Sequence, residues 1–377
     1  MIVIVITSLG RGGAERSTLQ LVDGLISKNV EVRLVVLFRE VDEYPIPDKL
    51  SPVIYWLESP SYIVAVIRLY KTLICLRPRF VYSVMPQANI GALLCTLFLN
   101  IPLISSERTT IELFYRSKAK KALVLLGHLL ASRAVFISYF ALSNGLSGSF
   151  IGRAITKKAH VLHNPVFSPM NVSESLARRK QRIQRLEAFV GSSTHTQGGK
   201  KEAVLRIVLA SRLVRGKGLI EFLFAARYFI RDHDVVIIVA GAGDLKDDIL
   251  RTCAELGVES KVSLRGFVED IWQLYAEADV VVLCSESEGF GRVGFEAYLA
   301  GCLVIGTKEN SFVDEVIPES PAWTIVSSFD HIDAALERFV ERSPKLACAD
   351  DLHKMRAALS VDAHVSKFLS ILGACQL

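Results

Sequence analysis

Short apolar runs recur along the chain, separated by stretches in which apolar residues fall at every third or fourth position. In the first half the runs occupy residues 2–7, 31–38, 80–85, 103–106, 134–138 and 159–162. They are nearly continuous in Val, Ile, Leu and Phe rather than alternating, which predicts parallel strands buried on both faces. The stretch 14–27 predicts the first crossover helix, and Asn164-Pro165 ends this series. A second series follows at residues 205–210, 235–240, 262–264, 280–284 and 303–305. Strands alternating with helices in this way predict doubly wound α/β domains. Residues 171–203 read differently. The basic run Arg178-Arg179-Lys180-Gln181-Arg182 is followed by a Gly-, Ser- and Thr-rich tract at 191–199. That composition predicts a linker, with the basic run as a solvated helix face. The expected organisation is therefore a first domain at 1–170, a linker at 171–203, a second domain at 204–360 and a helix at 361–377.

A chain of 377 residues exceeds what one ordinary core organises, which agrees with two domains. The formal charge of +5 permits a phosphate-bearing ligand or an anionic membrane surface but does not call for nucleic acid. The seven cysteines, at positions 75, 95, 253, 284, 302, 348 and 375, lie scattered with no C-x-x-C pair. This argues against a metal cluster or a disulfide framework and fits a cytoplasmic protein. Residues 1–6 are apolar, but the run is too short for the core of a signal peptide. The uncharged stretch 80–106 is long enough to span a membrane, yet Pro86, Asn89, Asn100 and Pro102 divide it into strand, helix and strand.

Candidate chemistry concentrates where predicted strands run into glycine. The run 280–284 leads into Ser287-Glu288-Gly289-Phe290-Gly291-Arg292-Val293-Gly294-Phe295-Glu296 and then a helix. A glycine turn between a strand end and a helix N-terminus favours a phosphate. Glu288 opens the turn, and Glu296 is expected about two turns on along a similar helical face; the two carboxylates suit sugar hydroxyls. Likewise, Arg212 and Lys217 flank a loop after residues 205–210, where a guanidinium and an ammonium can neutralise a diphosphate without a metal. Gly241 follows the run 235–240, and Phe267 and Val268 follow 262–264. In the first half, Gly10-Arg11-Gly12-Gly13-Ala14-Glu15-Arg16 follows the first strand, where glycine lets backbone approach a ligand. A dinucleotide fingerprint is the rival reading, but Glu15 stands where its last glycine belongs. Asp232-His233-Asp234 precedes its strand, the wrong end for a ligand. His160 and His163 point to opposite faces of a strand, and no G-x-S-x-G elbow exists. No metal site and no cofactor are expected. Arg116, Lys118, Lys120 and Lys121 run into an apolar stretch, a pattern that suits either an anionic membrane or an ordinary helix with a solvated end.

The E-x7-E spacing within E-G-F-G-x-x-x-x-E-A resembles the retaining glycosyltransferases of family 4, which have the GT-B fold: two Rossmann-like doubly wound domains facing each other across a cleft. Ala210-Ser211-Arg212-Leu213-Val214-Arg215-Gly216-Lys217-Gly218 is similar to the family's G-R-L-x-x-x-K-G stretch, with Ser211 in place of glycine. The G-G-A-E loop and the G-F-V-x-D stretch have counterparts at Gly12 to Glu15 and at Gly266 to Asp270. The resemblance implies metal-independent, retaining transfer from a nucleotide-diphosphate sugar, with UDP expected, to a saccharide or polyprenyl-linked acceptor in cell-surface polysaccharide synthesis. It implies Arg212 and Lys217 as the diphosphate clamp and Glu288 as the donor-sugar contact. The donor would also touch Gly12, Gly13, Gly241, Phe267, Val268, Gly289, Phe290, Gly291, Arg292 and Val293, with Glu296 on the ribose. Glu107 and Arg108 would face the acceptor. No histidine occupies the segment 105–109, where many members of the family place one. The last helix would cross back to the first domain. A dinucleotide-dependent oxidoreductase and a non-catalytic nucleotide-sugar binder are the alternatives.

Overall fold

In the computed structural model each apolar run becomes one strand of a parallel sheet, and the chain divides into two units. The first comprises Met1–Pro165 with Ala358–Leu377, the second Val166–Ala357. The structure describes all residues except 42, 112–116, 147–149, 194–203, 287, 308–314, 317–321, 342–348 and 374–377. Arg116, Ser287, Cys348, Cys375 and the polar tract from 194 onward therefore lie outside the described residues.

The first unit is a seven-stranded sheet built from β1 (Ile2–Ile6), β2 (Val32–Val36), β3 (Ile54–Trp56), β4 (Phe80–Val84), β5 (Leu103–Glu107), β6 (Arg133–Phe136) and β7 (Ala159–Val161). Their order is β3-β2-β1-β4-β5-β6-β7. All pairings are parallel. The order reverses between β1 and β4, the point where open sheets of this kind receive ligands. Helices α1 (Gly13–Ser27), α2 (Tyr62–Leu76), α3 (Pro86–Leu99), α4 (Lys118–Leu130), α5 (Tyr139–Leu146) and α6 (Phe150–Thr156) belong to the connections. Alternate β1 side chains take opposite faces. Ile2, Ile4 and Ile6 join the core under α1, while Val3 and Val5 join the core under α2 and α3. Residues 80–106 form β4, α3 and β5, and among the described residues no helix is long and apolar enough to cross a membrane.

The second unit begins with α7 (Val172–Ser193), where composition predicts a linker. This helix belongs to the second unit, and its basic run is solvated on one side only, with Lys180 and Gln181 exposed and Arg179 and Arg182 enclosed. Arg179 and Arg182 are among the largest fully buried side chains of the protein. Arg182 donates to the carbonyls of Ala278, Tyr275 and Ala300, and Arg179 donates to those of Tyr298 and Gly301. These carbonyls lie at the C-terminal ends of two later helices, where the last C=O groups lack intrahelical partners and a cation is favoured. The spacing of 179 and 182 puts both on one helical face, so a run that reads as polar in sequence serves as a buried double cap.

A six-stranded parallel sheet follows: β8 (Leu205–Ala210), β9 (Val235–Ala240), β10 (Val262–Gly266), β11 (Val280–Leu283), β12 (Leu303–Thr307) and β13 (Trp323–Val326), in the order β10-β9-β8-β11-β12-β13. The helices are α8 (Leu219–Ala225), α9 (Arg227–Asp232), α10 (Lys246–Leu256), α11 (Ile271–Glu277), α12 (Arg292–Leu299), α13 (Ile332–Glu341) and α14 (Ala349–Ala358). The last helix, α15 (Val361–Gly373), packs in the first unit. Its Val365, Phe368, Ile371 and Leu372 join the core of Ile4, Val22 and Tyr82, each worth about 1.5–3 kcal/mol of burial. Gly24 of α1 makes room, since a Cβ there would lie 2.5 Å from Val365.

Candidate functional site

Strands β8 and β11 are neighbours at the centre of the second sheet, and the order reverses between them. Their C-terminal ends carry the loops 211–218 and 284–291. Glycine sets how closely the loops approach. Gly218 has φ +68°, and a Cβ on it would stand 1.7 Å from the carbonyl oxygen of Cys284. Gly241, at the end of β9, would place a Cβ 1.8 Å from the carbonyl oxygen of Ser211. Backbone bonds join the seam: Glu286 N–H donates to Gly216 at 2.9 Å, Ser211 to Ala240 at 3.0 Å and Leu213 to Ala242 at 2.9 Å. Cys284 Sγ lies 3.3 Å from the Lys217 carbonyl, and burial pushes its thiol up to about 12. Three strand ends are thus held together with only backbone between them.

The predicted charges meet on this seam. Lys217 Nζ is 2.5 Å from Glu288 Oε1, and Ser285 Oγ donates to the same oxygen at 2.9 Å. Both members of the pair are partly solvent-accessible. Arg212, from the same loop as Lys217, is exposed and has no side-chain partner among the described residues. Among the described residues, the loop therefore presents Lys217 as a neutralised ammonium and Arg212 as an uncommitted guanidinium.

The two glutamates differ from expectation. α12 starts at Arg292, so Glu288 lies in the loop before it and does not share a helical face with Glu296. Glu296 is buried and accepts from Arg292 Nη2 at 3.2 Å, one helical turn earlier. Gly291 caps the helix in the left-handed conformation at φ 60°, without a side-chain acceptor. Phe290, expected to line the donor site, is buried and stacks on Phe295 at 4.7 Å; it is a core ring that anchors the turn. Gly289 and Val293 are half-buried beside it. Phe267 is exposed at the end of β10 with half-buried Val268 next to it. Asp270 caps α11 by accepting from the N–H groups of Trp272 and Gln273.

In the first unit, Gly12 and Gly13 open α1 beside buried Glu15. A Cβ at Gly12 would lie 2.2 Å from Glu15 Oε2, so this carboxylate occupies the space over the glycine turn. A carboxylate there would repel the pyrophosphate that a dinucleotide fold holds at this helix end.

Glu107 and Arg108, expected on the acceptor side, are committed within the protein. Glu107 is fully buried. Its Oε1 accepts from Arg108 N–H at 2.9 Å, Thr109 N–H at 3.0 Å and Thr109 Oγ1 at 2.6 Å. It caps its own turn and is enclosed by the protein. Arg108 donates to Tyr82 at 2.8 Å and Asn164 at 2.9 Å. Sequence reading missed His128, because it comes from α4 rather than from segment 105–109. Its Nδ1 is 2.7 Å from Ser105 Oγ, and its Nε2 is 3.6 Å from Glu107 Oε2. All three residues are buried, so the cluster is a packed polar core. Lys118 and Lys120 are exposed and Lys121 is half-buried at the start of α4.

The family described as "Glycosyl transferases group 1" matches residues 193–355, the segment that holds the Lys217–Glu288 seam. The chain is 27% identical over 328 residues to the N-acetylgalactosamine-N,N'-diacetylbacillosaminyl-diphospho-undecaprenol 4-alpha-N-acetylgalactosaminyltransferase of Campylobacter jejuni, covering 83% of this chain and 82% of that one. It is 32% identical over 135 residues to an uncharacterized glycosyltransferase of Methanocaldococcus jannaschii, a match that spans only 35% of either protein. Among solved structures, Anabaena HepE in complex with UDP and glucose superposes with a TM-score of 0.74 over 99% of both chains, at 17% identity. The fold is thus that of the GT-B glycosyltransferases, two Rossmann-like α/β units in one chain.

Proposed function

We propose that the protein is a retaining glycosyltransferase that takes a sugar from a nucleotide-diphosphate donor, UDP-linked, and passes it to a saccharide carried on a polyprenyl lipid. The observation that carries this reading is the seam of β8 and β11, where Arg212, Lys217 and Glu288 converge on glycine-rich backbone. The donor's diphosphate lies against Arg212 and Lys217, and the N-terminus of α12 favours the same anion. Glu288 faces the sugar, and Glu296 receives the ribose hydroxyls in competition with Arg292. The similarity to a transferase acting on a diphospho-undecaprenol substrate supports the lipid-linked acceptor, and the likeness to a UDP complex supports the nucleotide. The exposed lysines 118 and 120 support contact with an anionic membrane, where such an acceptor resides.

The bond from the anomeric carbon to the β-phosphate oxygen breaks as negative charge develops on the diphosphate. Arg212 and Lys217 stabilise that charge from fixed positions and stand in for a divalent ion. The acceptor hydroxyl attacks from the face the diphosphate leaves, and its proton passes to the departing phosphate oxygen. Configuration is kept without a protein nucleophile. Incubation with a UDP-N-acetylhexosamine and a polyprenyl-diphosphate saccharide should release UDP and give a product whose new linkage has the donor's anomeric configuration by NMR. An inverted linkage would contradict the mechanism, and no transfer from any nucleotide sugar would contradict the function.

A further inference from the structure

Helices α2, α3 and α4 lie side by side over one face of the first sheet, and each is apolar on its outer side as well as its inner one. On α2 the inner stripe is Ala65, Leu69 and Leu73, while Ile63, Ile67, Tyr70 and Ile74 are exposed, Ile63 by 73%. On α3 the outer residues are Leu94, Leu97 and Phe98, the last 81% exposed. On α4 they are Leu123, Leu126 and Leu130. The spacings of three and four keep each set on one helical stripe. A helix apolar all round normally sits inside a protein or a membrane, and contiguous exposed apolar surface on this scale marks an interaction face.

Charge identifies the partner. The three helices contain no Asp or Glu; their charges are Arg68, Lys71, Lys118, Lys120 and Lys121. Across residues 59–173 the chain has thirteen Lys and Arg but only two Asp and Glu, and Glu107 is one of those two, buried. With a total of +5, the remainder of the chain is net acidic. The helices at the matching places of the second unit differ: α11, between β10 and β11, carries Glu277 and no Lys or Arg, and α12, between β11 and β12, carries Glu296 beside Arg292. Apolar side chains fringed by lysine suit the headgroup boundary of an anionic bilayer. A second copy of this chain would bring like charge against like charge.

We infer that the α2–α3–α4 face is a membrane-docking surface that inserts apolar side chains into an anionic leaflet. This deepens the reading of a lipid-linked acceptor but rests on the surface itself. The electrostatic part attracts and is screened by salt, whereas the inserted side chains resist salt.

The test is co-sedimentation of the full chain with phosphatidylcholine vesicles, with and without phosphatidylglycerol. Wild type should bind the anionic vesicles and keep part of that binding at 1 M salt. The variant Ile67→Ser/Leu97→Ser/Phe98→Ser should partition at least tenfold more weakly, with its melting temperature unchanged because the three side chains face solvent. Leu123→Ser/Leu126→Ser on α4 carries the same expectation independently. Equal binding by both variants, or no binding by wild type, overturns the inference, as does a stable dimer in which this face is protected from hydrogen exchange and vesicles are ignored. The shift in melting temperature with UDP, read on the same samples, separates the two claims. A protein that binds UDP but no vesicles loses the docking face and keeps the transferase reading, and one that binds vesicles but no nucleotide does the reverse.

Discussion

Lys217 and Glu288, 71 positions apart in sequence, meet at 2.5 Å where two central strands end side by side. The pair sits at the surface, where such contacts contribute roughly 0–1 kcal/mol to folding. In the proposed reaction its role is to hold an ammonium and a carboxylate where the diphosphate sugar would bind.

That arrangement separates the effects of two substitutions. Lys217→Ala should lower transfer about a hundredfold or more, the scale of losing one fixed charge at a developing anion, and should weaken UDP binding. Glu288→Gln should lower transfer comparably yet tighten UDP binding, because Lys217 no longer has a competing anion. Calorimetric titration of both variants with UDP checks the opposite signs. Parallel changes would show that Glu288 does not compete for Lys217.

Arg212 has no side-chain partner among the described residues. Arg212→Ala should leave the melting temperature of the free protein within a degree or so while cutting transfer about a hundredfold. A stability loss comparable to a core mutation would show that the guanidinium has a structural role instead.

Arg182 is the contrasting case. Its guanidinium caps two helix ends inside the second unit, and Arg182→Ala strands buried carbonyls at about 1–3 kcal/mol each. Thermal unfolding should move down by several degrees, with the expressed protein partly insoluble. An unchanged melting temperature would contradict the buried placement.

How much of this was legible in the sequence follows from what each signal measures. Long apolar runs report strands buried on both faces, and the central strands β1, β4, β8, β9 and β11 stand close to where their runs predict. Of the four edge strands, Ile54–Trp56 and Trp323–Val326 were not legible, since each is short and half-covered, whereas the runs 159–162 and 262–264 marked the other two. The residues that converge on the seam lie at strand ends beside glycine, so their placement was legible. Burial was not. Nothing in Arg178-Arg179-Lys180-Gln181-Arg182 says that two of its arginines are enclosed, because only tertiary packing supplies the carbonyls they satisfy. For the same reason Phe290 reads as a donor contact and folds against Phe295, and Glu107 reads as an acceptor contact and folds as a turn cap. His128 approaches from another helix, a relation no local motif can state.

Cysteine chemistry offers a check on the seam that needs no substrate. Cys284 is buried against Lys217, with its thiol pushed up to about 12, whereas Cys75 is exposed. Only the thiolate alkylates. Brief iodoacetamide treatment of the native protein at pH 8, read by peptide mass mapping, should modify Cys75 and spare Cys284 until denaturant is added. Early modification of Cys284 would mean that the loops 211–218 and 284–291 do not meet as described.

The central claim is that the ends of β8 and β11 bind a nucleotide-diphosphate sugar through Arg212 and Lys217 without a metal. Thermal unfolding with UDP and UDP-sugars in excess EDTA tests it most directly, with NAD as the comparison. A ligand that binds only the folded form at a hundred times its Kd stabilises by about 2.7 kcal/mol. UDP or a UDP-sugar should therefore raise the melting temperature by several degrees in wild type and by far less in Arg212→Ala/Lys217→Ala, while NAD has no effect. A rise with NAD and none with any nucleotide diphosphate, or a UDP effect that vanishes in EDTA or persists undiminished in the double variant, would contradict it.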